Sequence, residues 1–309
     1  MMDQTDCILI GAPVDSGKRR AGCLMGPDAL RTAGLGQALR DLGHRVEDLG
    51  NLSPETYNPD TDDNRLFRPR ETAGWAARLI AAAEAAMGRG LPIFLGGDHA
   101  LSLGSVAGVA NHAARTGRPQ FVLWLDAHSD YHTPQTTDSG NLHGTPLGYV
   151  TGRDGFDGFP PVANPVPQEN ICLLGLRSVD AAERAALEGT AIQRHDMREI
   201  DERGIARPLG EFLDRVRAAN GFLHVSLDVD FLDPTFAPAV GTTVPGGATL
   251  REGHLVMEMI CDSGLMSSLD LVELNPFLDE RGRTAQLLVD LAASVLGRRV
   301  FDRPTRAFA

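Results

Sequence analysis

Three short stretches of the chain gather the residue types that hold divalent cations. "LDAHSDYHTP" carries Asp126, His128 and Asp130 at every second position, "HVSLDVDFLDP" carries Asp228 and Asp230, and "GGDHALSLGS" carries Asp98 and His99. Each follows an apolar run that reads as a strand, and residues i, i+2 and i+4 of an extended chain point the same way. Asp126, His128 and Asp130 are therefore expected to converge at the C-terminal end of their strand, where open α/β sheets place ligands. Four aspartates cannot lie together as bare anions, because like charges a few ångström apart repel strongly at low dielectric. Two divalent cations would balance Asp126, Asp130, Asp228 and Asp230, with His99 and His128 completing the set. Such a carboxylate-rich set without thiolate suits Mn2+ better than a closed zinc site, and leaves Co2+ or another divalent ion open. A two-ion centre lowers the pKa of a shared water enough to yield hydroxide near neutral pH.

Taken singly, each stretch has an ordinary explanation. D-x-H-x-D is often a loop of caps and surface charges, and Asp98 could simply cap the helix that follows. Three such stretches, each at a strand end, make coincidence a poor explanation. Glu273 closes a fourth apolar run in "LDLVELNP".

The elements that must position these groups alternate along the chain. Strand-like runs span 7–13, 91–97, 120–126, 171–176, 222–230 and 268–276. Helical patterns span 26–43, 71–90, 100–116, 180–189, 208–219, 250–264 and 283–297. Strands joined by crossover helices predict a parallel sheet covered on both faces. Two polar, Gly/Pro-rich stretches, 53–64 and 151–170, read as loops. The second is long for a compact domain and is expected at a cleft or subunit contact. Neither divides the alternation, so residues 1–309 read as a single domain.

Composition narrows the partners. With 42% hydrophobic and 23% charged residues, the chain is that of a soluble globular protein. A formal charge of −12 argues against nucleic acid or an anionic membrane as partner. No apolar run approaches the roughly 20 residues that span a bilayer, and the N-terminus lacks a signal-peptide pattern. Four cysteines without a C-x-x-C pair read as reduced thiols of a cytoplasmic protein. "GAPVDSGKRR" faintly resembles a phosphate loop, but the spacing from Gly11 to Gly17 is one residue too long and Arg19 replaces the Ser/Thr. His44, His112, His195, His224 and His254 read as structural or surface residues.

At "GGDHALSLGSV", "LDAHSDYHTP" and "SLDVDFLDPTFAP" the chain resembles the three metal-binding motifs of the ureohydrolase family, the arginases and agmatinases; "GPDALR" and "LVELNP" fit the same family. The resemblance runs from about residue 7 to about residue 297. It implies a three-layer α/β/α fold around a parallel sheet and a dinuclear manganese site. One ion would be held by His99, Asp126, Asp130 and Asp228, the other by His128, Asp126, Asp228 and Asp230.

Within that family "TTDSGNLHGTPLGY" is similar to the arginase form of the substrate loop. The resemblance implies that Ser139 and Asn141, joined by Thr137, bind an α-carboxylate. Asp180 and Glu183 would hold an α-amino group, Glu273 would pair with the guanidinium, Thr242 would line the site, and His143 would shuttle a proton. Two positions depart from the pattern. His132 stands where an Asn contacts the carboxylate, and Ser178 where an Asp precedes Asp180; a His can still donate to a carboxylate.

The implied activity is that of a hydrolase of linear amidines, converting L-arginine and water to L-ornithine and urea. A metal-bridging hydroxide oriented by Asp130 would attack the guanidinium carbon, and His143 would deliver a proton to the leaving amine. Other guanidino or amidino hydrolases of the same family (agmatinase, guanidinobutyrase, formimidoylglutamase) and a non-catalytic metal-binding homologue are the alternatives. The family also implies a homo-oligomer, a trimer or hexamer.

Overall fold

The apolar runs form continuous buried strands because helices cover both of their faces. The computed structural model describes residues 4–58, 65–299 and 301. Eight strands build one sheet: β1 (Asp6–Ala12), β2 (Arg45–Asn51), β3 (Leu91–Gly96), β4 (Gln120–Leu125), β5 (Ile171–Leu176), β6 (Gln193–Asp196), β7 (Phe222–Asp228) and β8 (Met266–Val272). Their order is β2-β1-β3-β8-β7-β4-β5-β6, and every pairing is parallel.

Among the described residues, ten α-helices accompany the sheet: α1 (Gly26–Thr32), α2 (Leu35–Asp41), α3 (Pro69–Met87), α4 (Ser102–Thr116), α5 (Pro146–Val150), α6 (Ala181–Leu187), α7 (Met197–Arg203), α8 (Ala206–Ala218), α9 (Leu250–Ser263) and α10 (Arg283–Val295). Alternation along the strands sorts them into two layers. Leu9, Leu95, Leu123 and Val225 pack with Leu30, Phe212, Ile260 and Leu288 of α1, α8, α9 and α10. Ile10, Phe94, Trp124 and Leu173 pack with Leu79, Val106, Leu147 and Leu187 of α3 to α6. The result is the expected three-layer α/β/α architecture.

Local signals explain several boundaries. Thr249 and Glu252 form a reciprocal capping box at the start of α9, and Gly264 ends it at φ 65°. The α3–α4 seam closes because α4 presents glycines to it: a Cβ on Gly104 would lie 2.4 Å from the Leu79 Cβ, and one on Gly108 2.4 Å from the Ile80 carbonyl oxygen.

Three expectations need correction. The single helix over 26–43 breaks into α1 and α2, because Gly34 turns the chain at φ 93°. Strands β2 and β6 were not expected; they are the sheet's two edges, and "RVEDLGN" and "QRHD" lack the apolar run of a buried strand. Of the cleft and the subunit contact expected for the 151–170 segment, the first does not hold at the candidate site, which this segment does not line. Its Phe156 and Phe159 pack on Tyr149 at 5.2 and 6.1 Å, and the Tyr149 hydroxyl donates to the Pro160 carbonyl at 2.7 Å. Part of the 53–64 loop, residues 59–64, lies outside the described residues.

Candidate metal centre and active site

Four consecutive strands of the sheet, β3-β8-β7-β4, each deliver an ionisable group to the C-terminal edge. His99 follows β3, Glu273 follows β8, Asp228 ends β7, and Asp126 follows β4. Asp126, His128 and Asp130 do converge with Asp228 and Asp230, but strand alternation is not the cause. β4 stops at Leu125, residues 126–130 form a loop, and Asp130 adopts a left-handed backbone at φ 47°. Hydrogen bonds pin that loop: Trp124 Nε1 donates to Asp126 Oδ2 (3.0 Å), the His128 amide to Asp126 Oδ1 (2.6 Å), and the Ala127 amide to Asp230 Oδ1 (3.0 Å). Asp230 sits in a 3₁₀ turn, its amide donating to Asp228 Oδ1 at 2.7 Å.

Two clusters result, and they share Asp126. The first is His99, Asp126 and Asp130; the second is Asp126, His128 and Asp230. His99 Nδ1 faces Asp126 Oδ2 at 3.1 Å and the Oδ2 atoms of Asp130 and Asp228 at 3.0 Å. Its other nitrogen meets Ser226 Oγ at 2.8 Å, and its ring stacks on Trp124 at 4.2 Å, so the imidazole orientation is set from behind. His128 Nδ1 lies 3.0 Å from Asp230 Oδ2 and 3.4 Å from Asp126 Oδ1.

This donor set fits a cation. His99 Nδ1 is buried and makes an aligned hydrogen bond with none of the three oxygens around it. Ligand atoms at right angles about 2.1 Å from an ion lie about 3 Å apart, which is the spacing observed. The electrostatics agree. Burial, then Asp126, pushes Asp130 up to about 6, and burial with Asp230 and Asp126 raises Asp228 well above the carboxylate range. Burial opposes charge on His128, yet Asp126 and Asp230 outweigh it and lift its pKa to about 12. Without cations, the carboxylates rely on imidazole protons for neutrality; divalent ions would replace those protons.

The clusters open into a narrow cavity of about 170 Å³. His128, Asp130 and Asp228 form its floor, and His132, Thr137, Ser139, Asn141, His143, Asp180, Glu183 and Thr242 line it, with Gly144 and Ser178. A larger groove of about 760 Å³, lined by Arg177, Arg184, Arg194, Asp196, Glu199 and Glu202 among others, contains none of these groups.

Several lining residues are already engaged. The Arg19 amide donates to Asn141 Oδ1 at 3.1 Å, which leaves the Asn141 NH2 as a donor. The Ser139 and Thr137 hydroxyls meet at 3.2 Å. Asp180 Oδ1 caps α6 by accepting from the Ala182 and Glu183 amides, while its Oδ2 meets His132 Nε2 at 2.7 Å. Glu183 Oε1 accepts from Ser129 Oγ (2.6 Å) and the Tyr131 amide (3.0 Å).

Glu273 stands behind His143. It is buried and is not among the residues lining the cavity; its Oε1 instead meets His143 Nδ1 at 3.0 Å and the His99 amide at 2.9 Å. Burial opposes protonation of His143, but Glu273 outweighs it and raises its pKa. Asp98, read as a possible cap, does accept from the Ala100 amide at 3.0 Å; it also accepts from the Gly17 amide at 2.7 Å.

Thr242 reaches the site on a loop closed by one carboxylate. Its hydroxyl donates to Asp230 Oδ2 at 3.2 Å, while Asp233 accepts from the Thr235 amide (2.9 Å), the Thr235 hydroxyl, and the Gly246 and Gly247 amides (2.7 and 3.2 Å). Burial opposes its ionisation, but these bonds outweigh burial and lower the Asp233 carboxyl to about 2. A depressed folded pKa adds stability above the unfolded value of about 4 and loses it as pH falls through the folded value. Asp233→Asn is therefore expected to lower Tm at neutral pH, with the gap from the parent chain closing between pH 4 and pH 2. Thermal melts across that range check this; a pH-independent gap would refute it.

Sequence reasoning passed over Lys18, Trp124 and Ser226. Ser226 and Trp124 act on His99 from inside the sheet, where the sequence shows only ordinary strand residues. Lys18 was hidden in a segment dismissed as a poor phosphate loop.

Fold and site together define an α/β protein with a carboxylate–imidazole centre suited to metal ions at the C-terminal edge of a parallel sheet. Residues 5–297 match the model of the arginase family. An arginase of Brucella melitensis is 58% identical over 304 residues, covering 98% of this chain and 99% of that one. An arginase of Bacillus subtilis is 38% identical over 305 residues, covering 97% and 100%. The solved arginase of Bacillus caldovelox superimposes with a TM-score of 0.87 at 36% identity, covering 96% and 100%. The chain belongs to the arginase family. Among the described residues, no helix is long and apolar enough to cross a membrane.

Proposed function

We propose that this chain hydrolyses L-arginine to L-ornithine and urea, using two divalent cations, with Mn2+ the best chemical match. The observation that carries the reading is the pair of clusters joined through Asp126 at the floor of a narrow cavity. The arginase names of its relatives support the substrate. His99, Asp126, Asp130 and Asp228 would hold one ion, and His128, Asp126, Asp228 and Asp230 the other. Bound there, the two ions would supply a water of lowered pKa and polarise the guanidino group.

The residues above the floor then divide the work. Asp130 lines the cavity and would orient the attacking water. His143, held through Nδ1 by Glu273, is the proton carrier to the departing amine. The Asn141 NH2 and Ser139 hydroxyl, with Thr137 and His132, suit an α-carboxylate. Asp180 and Glu183 suit an α-amino group, and Thr242 steadies Asp230. We read the chain as one domain, supported by its one sheet, and as a cytoplasmic homo-oligomer, a trimer or hexamer.

The test is urea release with added Mn2+, comparing L-arginine with agmatine, which lacks only the α-carboxylate. A site built to hydrogen-bond that carboxylate should favour L-arginine by about 100-fold or more in kcat/KM. Equal rates, or preference for agmatine, would overturn the assignment of Ser139 and Asn141. Activity on neither would overturn the reaction.

A further inference from the structure

We propose that Lys18 is a positioning residue for His143, acting through Glu273. The inference rests on the reading of His143 as the proton carrier. Lys18 is only 2% exposed, and a lysine is almost never that buried unless paired. Its partner is Glu273, itself 1% exposed: Lys18 Nζ binds Oε2, while Oε1 takes His143 Nδ1 and the His99 amide. With the Cys23 thiol on Oε2 at 3.9 Å, four donors surround the Glu273 carboxylate; Lys18 is the one ammonium among them, and one of the others is the imidazole that borders the cavity. His143 Nδ1 is thereby engaged, and Nε2 is the nitrogen left to meet a substrate.

The same short segment holds His143 from its backbone side. The Gly17 carbonyl accepts the amides of Leu142 (2.6 Å) and His143 (2.9 Å), and the Arg19 amide binds Asn141 Oδ1. Gly17 and Arg19 therefore grip the 139–144 loop from its backbone side, while Lys18 between them reaches Glu273 behind His143. Space around the ammonium is tight: a Cβ added at Gly241 would lie 3.1 Å from Lys18 Nζ. Remove the ammonium and, among the described residues, Glu273 Oε2 keeps only the Cys23 thiol at 3.9 Å as a partner. Its carboxylate is then free to rotate away from Nδ1, and His143 loses its fixed orientation.

The test is a double-mutant cycle. Lys18→Met removes the charge and the donor, Lys18→Gln keeps a donor without the charge, and each is combined with His143→Asn. Loss of an outer partner of a working group costs about 10- to 100-fold, so Lys18→Met should lower kcat on L-arginine by that factor. KM should stay within about twofold, and bound Mn2+ should be unchanged. Lys18→Gln should fall between the two. In the His143→Asn background, Lys18→Met should cost almost nothing more, because coupled residues are non-additive. An undiminished second loss, a change in KM alone, or no loss from Lys18→Met would overturn the inference while leaving the reaction standing. If His143→Asn alone is silent, the reading of His143 fails and this inference with it. Circular dichroism melts confirm folding of each variant; if Lys18→Met does not fold, the cycle is run with Lys18→Gln and read by the same criteria.

Discussion

Asp126→Asn should leave the protein with at most one bound Mn2+ and cut urea formation about 1000-fold or more, the scale expected when a two-ion centre is dismantled. Asp126 joins the two geometric clusters and, with Asp228, would serve both proposed ions. An amide keeps its shape but removes a charge, and neither orientation suits the site. Asp126 Oδ2 accepts from Trp124 Nε1 and Oδ1 from the His128 amide. Whichever oxygen becomes NH2 then confronts an N–H donor, a conflict that costs about 1–3 kcal/mol for a buried group. Metal analysis of the purified variant, with a thermal melt, checks both parts. Retention of two ions at near-normal activity would remove Asp126 from its bridging place.

The second large effect is expected at His143. His143→Asn should lower kcat by about 10²- to 10⁴-fold, the usual contribution of a positioned proton carrier, with KM for L-arginine nearly unchanged. The reason is positional. His143 borders the cavity, but its Nδ1 is taken by Glu273, so the contribution proposed for it is a proton rather than a binding contact. Asparagine can restore a hydrogen bond to Glu273 yet cannot carry a proton at neutral pH. Steady-state kinetics on the Mn2+-loaded variant decide the matter; a raised KM with normal kcat would make His143 a binding residue.

The candidate ligand residues were legible because chemistry and position coincide. Asp126, Asp228 and His99 each follow an apolar run, and apolar runs ending in charge are rare enough to notice. The buried strands were legible for the same reason, since β5 is apolar throughout and β4 is apolar from Phe121 on. What the sequence hid is geometry that depends on neighbours. The loop 126–130 mimics alternation at its ends while Asp130 turns through φ 47°. β2 and β6 are polar because they are edges, and an edge is defined only by what lies beside it. Glu273 reads as a cavity residue until its φ of 69° and its pairing with Lys18 turn it toward His143. Lys18 sits 255 positions away from that partner, so no local pattern could announce the pair.

The strand order has a further consequence for the making of the protein. β3 and β4, which carry His99 and the Asp126–Asp130 loop, are separated in the sheet by β8 and β7, which come last in the chain. With strands about 4.8 Å apart, that gap is about 14 Å wide. A nascent chain on the ribosome that has reached residue 220 holds four of the six candidate ligands, yet the strands that space them do not exist. Two unpaired strand edges flank the empty place, open to wrong pairing and aggregation. Closure waits for residue 272, and such late, long-range pairing is slow. Loading of the two proposed cations would thus wait for chains whose synthesis has passed the last strand, and a bound pair of ions would mark a finished sheet.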